Sequence, residues 1–144
     1  MLKRVFIGGL SAALLASASV VLAADATEEG LAACYKQAQN SPERLTGCLE
    51  KELDYVKKEH KDVVERIYLL AKGMDTKKGV RGTTDQILKT NSAFLDYVER
   101  ECAVMQRMND GDAVDKKNDA LSCEVNLYRM RVDMLENRYL SAAK

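Results

Sequence analysis

The sequence lacks the residue patterns on which most catalytic and metal sites depend. Its 144 residues include no tryptophan, one proline and one histidine, His60. The four cysteines are far apart and form no C-x-x-C pair, which argues against a dithiol redox site. Their spacing with a single histidine also disfavours zinc. No nucleophile pairs with His60 by motif, so we predict a packed histidine, no cofactor and no enzymatic activity.

An excess of charge of either sign is also missing. Lysine and arginine together number 22, and aspartate and glutamate also number 22. A chain without a strongly basic or acidic balance gives no reason to expect nucleic acid or a membrane surface as its partner. We therefore expect a protein partner.

The first 23 residues have the pattern of a secretory signal peptide. The charged start Lys3-Arg4 precedes an apolar run that ends in Val21-Leu22-Ala23, a small-x-small cleavage pattern. We predict cleavage after Ala23 and a single domain over residues 24–144, located in the periplasm or outside the cell. No cysteine lies at the cleavage point, so no lipid anchor is expected, and no membrane-spanning segment follows. An N-terminal membrane anchor is the alternative.

Apolar residues recur with helical spacing through the rest of the chain. A 4-3-4-3 spacing places one apolar seam on a single helix face. The first long seam consists of Leu49, Leu53, Val56, His60, Val63, Ile67 and Leu70. Similar seams run from Ile87 to Met105 and from Leu121 to Ala142, and a shorter one begins at Leu31. The spacing predicts helices at about 28–39, 42–72, 84–108 and 119–143, forming a small antiparallel all-α bundle.

Proline and glycine suggest where the second helix begins and ends. Ser41 is predicted as its N-cap with Pro42 at the first helical position, and Gly73 as its C-cap. The chain from Gly73 to Gly82 is then predicted to be an open loop. This segment is basic, and it is either a solvated linker or a contact for an anionic partner such as a cell-wall polymer. Its charged residues are Asp75, Lys77, Lys78 and Arg81, preceded by Lys72.

Four cysteines in an exported chain are expected to form two disulfides. Cys34 and Cys48 lie at similar distances on either side of the first predicted turn. Cys102 and Cys123 flank the predicted loop at 109–118 in the same way. Positions equidistant from the turn of an antiparallel helical hairpin face each other, within reach of a disulfide. We therefore predict the bridges Cys34–Cys48 and Cys102–Cys123, both at one end of the bundle.

The pairing of Cys102 with Cys123 sets the register of the last two helices. In that register Arg131 lies opposite Phe94, and Leu127 lies opposite Val98. An arginine over an aromatic face contributes about 0.5–1 kcal/mol when it is partly exposed. We therefore predict an architectural role for Arg131.

Residues around the last two cysteines follow a recognisable order. An aromatic residue stands eight positions before the third cysteine, an acidic residue directly precedes that cysteine, and a glycine-containing loop leads to the fourth. These residues, with the three that follow at four-residue intervals, are Phe94, Glu101, Cys102, Gly111, Cys123, Leu127, Arg131 and Leu135. The stretch resembles the LprI-like lysozyme inhibitor family of small exported bacterial proteins. The resemblance implies an all-α protein that binds lysozyme or a related cell-wall hydrolase.

The loop predicted between the last two helices combines charges of both signs. Its candidate contact residues are Asp110, Asp112, Asp115, Lys116 and Lys117. Acidic residues would steer the loop towards a basic protein, whereas the alternative interpretation is a solvated turn. A calcium loop of the EF-hand type is disfavoured because three of its required positions do not match. The alternative function is that of a periplasmic chaperone or a structural subunit of an envelope complex.

Overall fold

The structure, a computed structural model, describes residues 26–80 and 82–141. The predicted signal peptide and its cleavage site lie outside the described residues. The helices are α1 (Ala26–Ala38), α2 (Pro42–Lys78), α3 (Gly82–Met108) and α4 (Ala113–Leu135), and a π-helical turn (Glu136–Leu140) continues α4. The described residues include no strand. The predicted all-α fold class is confirmed.

Helices α2, α3 and α4 form the bundle, and α1 packs against α2 and α4. Two ion pairs show that α2 and α4 run parallel. Lys57 Nζ lies 2.8 Å from Glu124 Oε2, and Lys117 Nζ lies 2.6 Å from Glu50 Oε1. Helix α3 returns between them in the opposite direction. One end of the bundle therefore holds the turns at residues 39–41 and 109–112, and we call it the disulfide end. The α2–α3 turn around Gly79 marks the far end.

Both predicted disulfides are present at the disulfide end. Cys34 bonds to Cys48 with a Cα–Cα distance of 5.4 Å, and Cys102 bonds to Cys123 with a Cα–Cα distance of 5.5 Å. Cys34 and Cys102 are buried in the main apolar cluster, which also contains Leu49. The bridges therefore join helices that already pack together, and the predicted pairing is confirmed.

The apolar seam of α2 follows the prediction as far as Ile67 and then shifts. Ala71 is buried, whereas Leu70, the predicted last member, is 44% exposed. A spacing of 3.5 residues drifts against a straight helix of 3.6 residues per turn, so over several turns the buried position moves forward by one residue. Asp75 is buried one turn beyond Ala71. The far end of α2 consequently turns Leu70 towards a surface groove.

The prediction that α2 ends at Gly73 is wrong. The helix continues to Lys78, and Gly79 takes the left-handed conformation with φ +69°. The amide of Gly79 donates to the carbonyl of Thr76, and the amide of Val80 donates to the carbonyl of Asp75, which is a Schellman arrangement. An exposed glycine within a helix costs only about 1 kcal/mol, and the packed turn that follows offsets it.

The buried Asp75 side chain joins α2 to α3. Its carboxylate accepts from the amides of Thr83 and Thr84, at 3.2 and 2.8 Å, and from the Thr84 hydroxyl at 2.5 Å. These hydrogen bonds lower the pKa of Asp75 to about 2. The predicted open loop is therefore a short, tied turn, and Lys72, Lys77 and Lys78 lie on the last turns of α2. Arg81 is outside the described residues.

The predicted loop at 109–118 is also wrong, because α4 begins six residues earlier than expected. Asp112 is its N-cap, and its Oδ1 accepts from the amides of Val114 and Asp115 at 2.8 and 3.0 Å. Aspartate is among the strongest N-capping residues. Three of the candidate contact residues, Asp115, Lys116 and Lys117, therefore lie on the first turns of a helix.

Candidate functional site at the disulfide end

A groove of about 350 Å³ lies between the two turns of the disulfide end. Tyr35, Ala38, Asn40, Ser41, Pro42 and Leu45 form one wall, and Asn109, Asp115, Asn118 and Asp119 form the other. Residues that are far apart in the sequence thus share one surface. One of the predicted contact residues, Asp115, lines this groove.

The chain that forms the first wall reverses direction within three residues, 39–41. Gln39 and Asn40 both have positive φ, +48° and +62°, a conformation that residues other than glycine adopt infrequently. Asparagine tolerates it better than most residues do. Ser41 then caps α2, and its Oγ accepts from the amide of Arg44 at 3.4 Å. This reversal brings the end of α1 beside the start of α2.

The second wall is held by the side chain of Asn109. Its Oδ1 accepts from the amide of Gly111 at 2.5 Å, and its Nδ2 donates to Asp119 Oδ2 at 2.5 Å. The Asp112 cap follows directly. Hydrogen bonds from the backbone amide of Asp115 and, less strongly, from that of Val114 lower the pKa of the Asp112 carboxyl. The turn is therefore anchored to α4 from both sides.

Hydrogen bonds across the floor connect the two walls. Asn118 is buried, its Nδ2 donates to the carbonyl of Pro42 at 3.0 Å, and its Oδ1 accepts from the Thr46 hydroxyl at 2.6 Å. The Tyr35 and Ser122 hydroxyls are 2.9 Å apart. Because these bonds link α1, α2 and α4, the two walls of the groove are held at a defined separation.

The predicted contact residues are distributed over this end in different roles. Asp110 is exposed in the turn, and Asp115 lines the groove. Asp112 is engaged in capping, and Lys116 is half-buried. Lys117 is paired with Glu50 of α2. The structure therefore places two of the acidic residues, Asp110 and Asp115, where a partner can reach them without breaking a cap or an ion pair.

Sequence reasoning missed the groove residues that lie outside the predicted loop at 109–118. Asp119 lies one helical turn after Asp115, so the two carboxylates share a face of α4 once that segment is helical. The N-capping preference of Asp112 could have revealed this helix start. Nothing in the local pattern identifies Tyr35 and Asn40, since α1 and α4 are far apart in sequence.

The chemistry of the groove suits a cationic or hydrogen-bond-donating group. Two carboxylates and three asparagine side chains line it, and no lysine or arginine does so among the described residues. Carboxylates accept charge-assisted hydrogen bonds from lysine or arginine side chains, which are stronger than bonds between neutral groups. The described residues hold no group of three histidine, cysteine or acidic side chains that could bind a metal. Within the same part of the chain, no helix is long and apolar enough to cross a membrane.

No family model, curated protein or solved structure matches this chain. The resemblance stated above therefore rests on individual positions, and the structure shows where these lie. The guanidinium carbon of Arg131 is 5.3 Å from the ring centre of Phe94, in the register that the disulfide predicts. Leu127 packs against the main apolar cluster, and Leu135 is buried in a second cluster towards the far end.

The histidine of the α2 seam lies at the centre of the bundle. The His60 ring is 5.1 Å from that of Phe94 and 5.2 Å from that of Tyr128, measured between ring centres. It is 4% exposed, and among the described residues its Nε2 has no hydrogen-bond partner. Burial and, to a lesser extent, the charge of Arg131 lower the pKa of His60 to about 4. His60 is therefore a neutral core residue at physiological pH.

Proposed function

We propose that this chain is an exported, non-catalytic binding protein that inhibits lysozyme or a related cell-wall hydrolase by contact through its disulfide end. The observation that supports the proposal most is the carboxylate-lined groove between the two turns. Its walls are joined by hydrogen bonds and held at their bases by disulfides. A surface ordered before binding loses little conformational entropy on contact, which favours affinity.

The charge of this end fits a basic protein partner. Asp110, Asp115 and Asp119 are grouped at the turn and the first turns of α4. The partner that the resemblance implies is a lysozyme. Lysozymes of animal secretions are basic proteins, and their clefts contain two catalytic carboxylates. Acidic residues raise the association rate with such a partner and make that rate depend on salt. Two disulfides are also consistent with an oxidising compartment outside the cytoplasm.

The test is lysis of cell walls by lysozyme with and without the purified protein. The double variant Asp110→Asn/Asp115→Asn leaves the Asp112 cap intact and removes two exposed charges. We expect it to slow association with lysozyme and to flatten the salt dependence. The matched control is Asp96→Asn/Glu99→Gln, which removes two exposed charges from α3. Absence of inhibition against several lysozyme types would refute the proposed function, and equal loss in both variants would remove the groove from the contact.

A second function is favoured by one feature of α3. This helix exposes large apolar side chains along most of its length, each between 42% and 75% exposed: Leu88, Leu95, Tyr97, Val104, Met105 and Met108. Val104, Met105 and Met108 lie within about one helical turn of each other, and an exposed apolar patch is typical of protein interaction surfaces. They suit a chaperone or an assembly subunit of an envelope complex. Recovery of an envelope subunit in a periplasmic pull-down that Leu95→Glu abolishes, without any inhibition of lysis, would favour this function.

A further inference from the structure

A second depression lies at the far end of the bundle, away from the groove at the disulfide end. Its outer part is an apolar groove of about 340 Å³, into which Leu70, Met74 and Tyr139 contribute side chains that are 41–48% exposed. Its inner part is a cavity of about 80 Å³ between α2, α3 and α4. The two parts adjoin, since Ile67, Ile87 and Tyr139 line both. We call the two parts together the funnel.

Polar groups of the inner cavity are not satisfied by the described residues. Arg131 and Asn91 both line it, and a buried atom of each, Nε of Arg131 and Oδ1 of Asn91, has no hydrogen-bond partner there. Buried polar atoms are nearly always hydrogen-bonded in proteins, so the Nε donor indicates a site for an acceptor, whereas the Oδ1 acceptor can be satisfied only by a donor. The remaining wall is largely aliphatic, with Val64, Ile67 and Leu135.

Arg131 brings a positive charge to the wall of this cavity. No described carboxylate forms an ion pair with it, whereas Arg129, two residues earlier, pairs with Glu52. The guanidinium of Arg131 instead lies over the Phe94 ring, beside the neutral His60. An anion in the cavity would therefore meet an uncompensated cation, and guanidinium binds carboxylates with particularly favourable geometry.

Lysines at the end of α2 add positive charge to this end of the bundle. Lys77 and Lys78 lie three and four residues after Met74, on the last turn of the helix, and the groove itself is lined by other residues. Positive charge raises the local concentration of anions. The funnel thus combines an apolar entrance with a half-buried arginine.

We propose that the funnel binds a linear aliphatic carboxylate, with its carboxylate on Arg131 and its chain along Leu70, Met74 and Tyr139. The carboxylate oxygens accept from the guanidinium, and the chain covers the apolar side chains that the surface leaves exposed. This site is independent of the lysozyme contact, since it lies at the opposite end of the bundle.

The test is calorimetric titration of the full chain with hexanoate, octanoate and decanoate. Each added methylene should tighten binding about fourfold until the groove is filled. Octanol and octylammonium, which share the tail of octanoate, should bind at least about tenfold more weakly. If octanol binds as tightly as octanoate, the assignment of Arg131 as the head-group partner is overturned. Absence of any binding overturns the site.

Two sets of variants locate the ligand. Arg131→Gln should weaken octanoate binding about tenfold or more, and Arg131→Lys, which keeps the charge, should weaken it less. The exposed control Arg100→Gln should have no effect. Met74→Glu places an acid on the apolar entrance and should also weaken binding, whereas Thr76→Glu adds the same charge to α2 away from the funnel lining. Met74 is exposed, so this pair remains informative even if Arg131 variants fold poorly. Unchanged binding in Met74→Glu would overturn the placement of the chain.

Discussion

Acidification should destabilise this protein through His60. The imidazole lies between the rings of Phe94 and Tyr128, and Arg131 is the charged residue that affects its pKa. No described carboxylate lowers the cost of protonating it. Burial, followed by the charge of Arg131, lowers the pKa of His60 from 6.5 to about 4 in the folded state. The folded protein therefore resists a proton that the unfolded chain accepts readily.

The sign and size of the effect follow from the two pKa values. Between pH 6.5 and about pH 4, the unfolded chain binds a proton at His60 that the folded chain does not, so the free energy of unfolding falls as the pH falls. The values differ by about 2.5, and one pKa unit corresponds to about 1.4 kcal/mol, so the full loss is about 3 kcal/mol. Below about pH 4 the folded state also binds the proton, and His60 causes no further loss.

The assay is urea unfolding followed by circular dichroism near pH 7 and near pH 4, for the wild type and for His60→Leu. The variant cannot be protonated at this position, so its free energy of unfolding should fall by about 3 kcal/mol less than that of the wild type. Glu59 acts in the opposite direction, since burial and nearby acidic residues raise its pKa, but it is present in both proteins. Equal losses in the two proteins would refute a buried neutral His60.

Three further predictions concern stability. Replacing Cys102 and Cys123 by serine should lower the free energy of unfolding by about 3 kcal/mol, because the bridge closes a loop over a sequence separation of 21; reducing and non-reducing urea titrations check this. Asp75→Asn removes the charge that binds the first amides of α3, so hydrogen exchange of those amides should accelerate while exchange at the disulfide end stays unchanged. Gly30→Ala should destabilise by at least about 1 kcal/mol despite the better helix propensity of alanine, because the new methyl group would displace the Arg129 guanidinium; an unchanged thermal midpoint would show that this side chain relocates at no cost.

The sequence alone determined the helices, their approximate number and the disulfide pairing. Periodic apolar positions such as Leu49, Val56 and Val63 decide the helical state over many residues, and that signal is local. The pairing of Cys34 with Cys48 follows from distance to a turn, and the contact of Arg131 with Phe94 follows from the second disulfide. These features depend on the number of residues between positions of one hairpin, and that number can be counted in the sequence.

The tertiary structure decided where helices end and which residues meet. Gly73 did not end α2, because the buried Asp75 two residues later joins α2 to α3 and the turn completes at Gly79. The groove at the disulfide end depends on Asn40 and Asp119 approaching each other through packing of helices that are remote in sequence. That no described carboxylate pairs with Arg131 likewise depends on which side chains surround it. Local propensity does not specify the neighbours of a residue across a bundle.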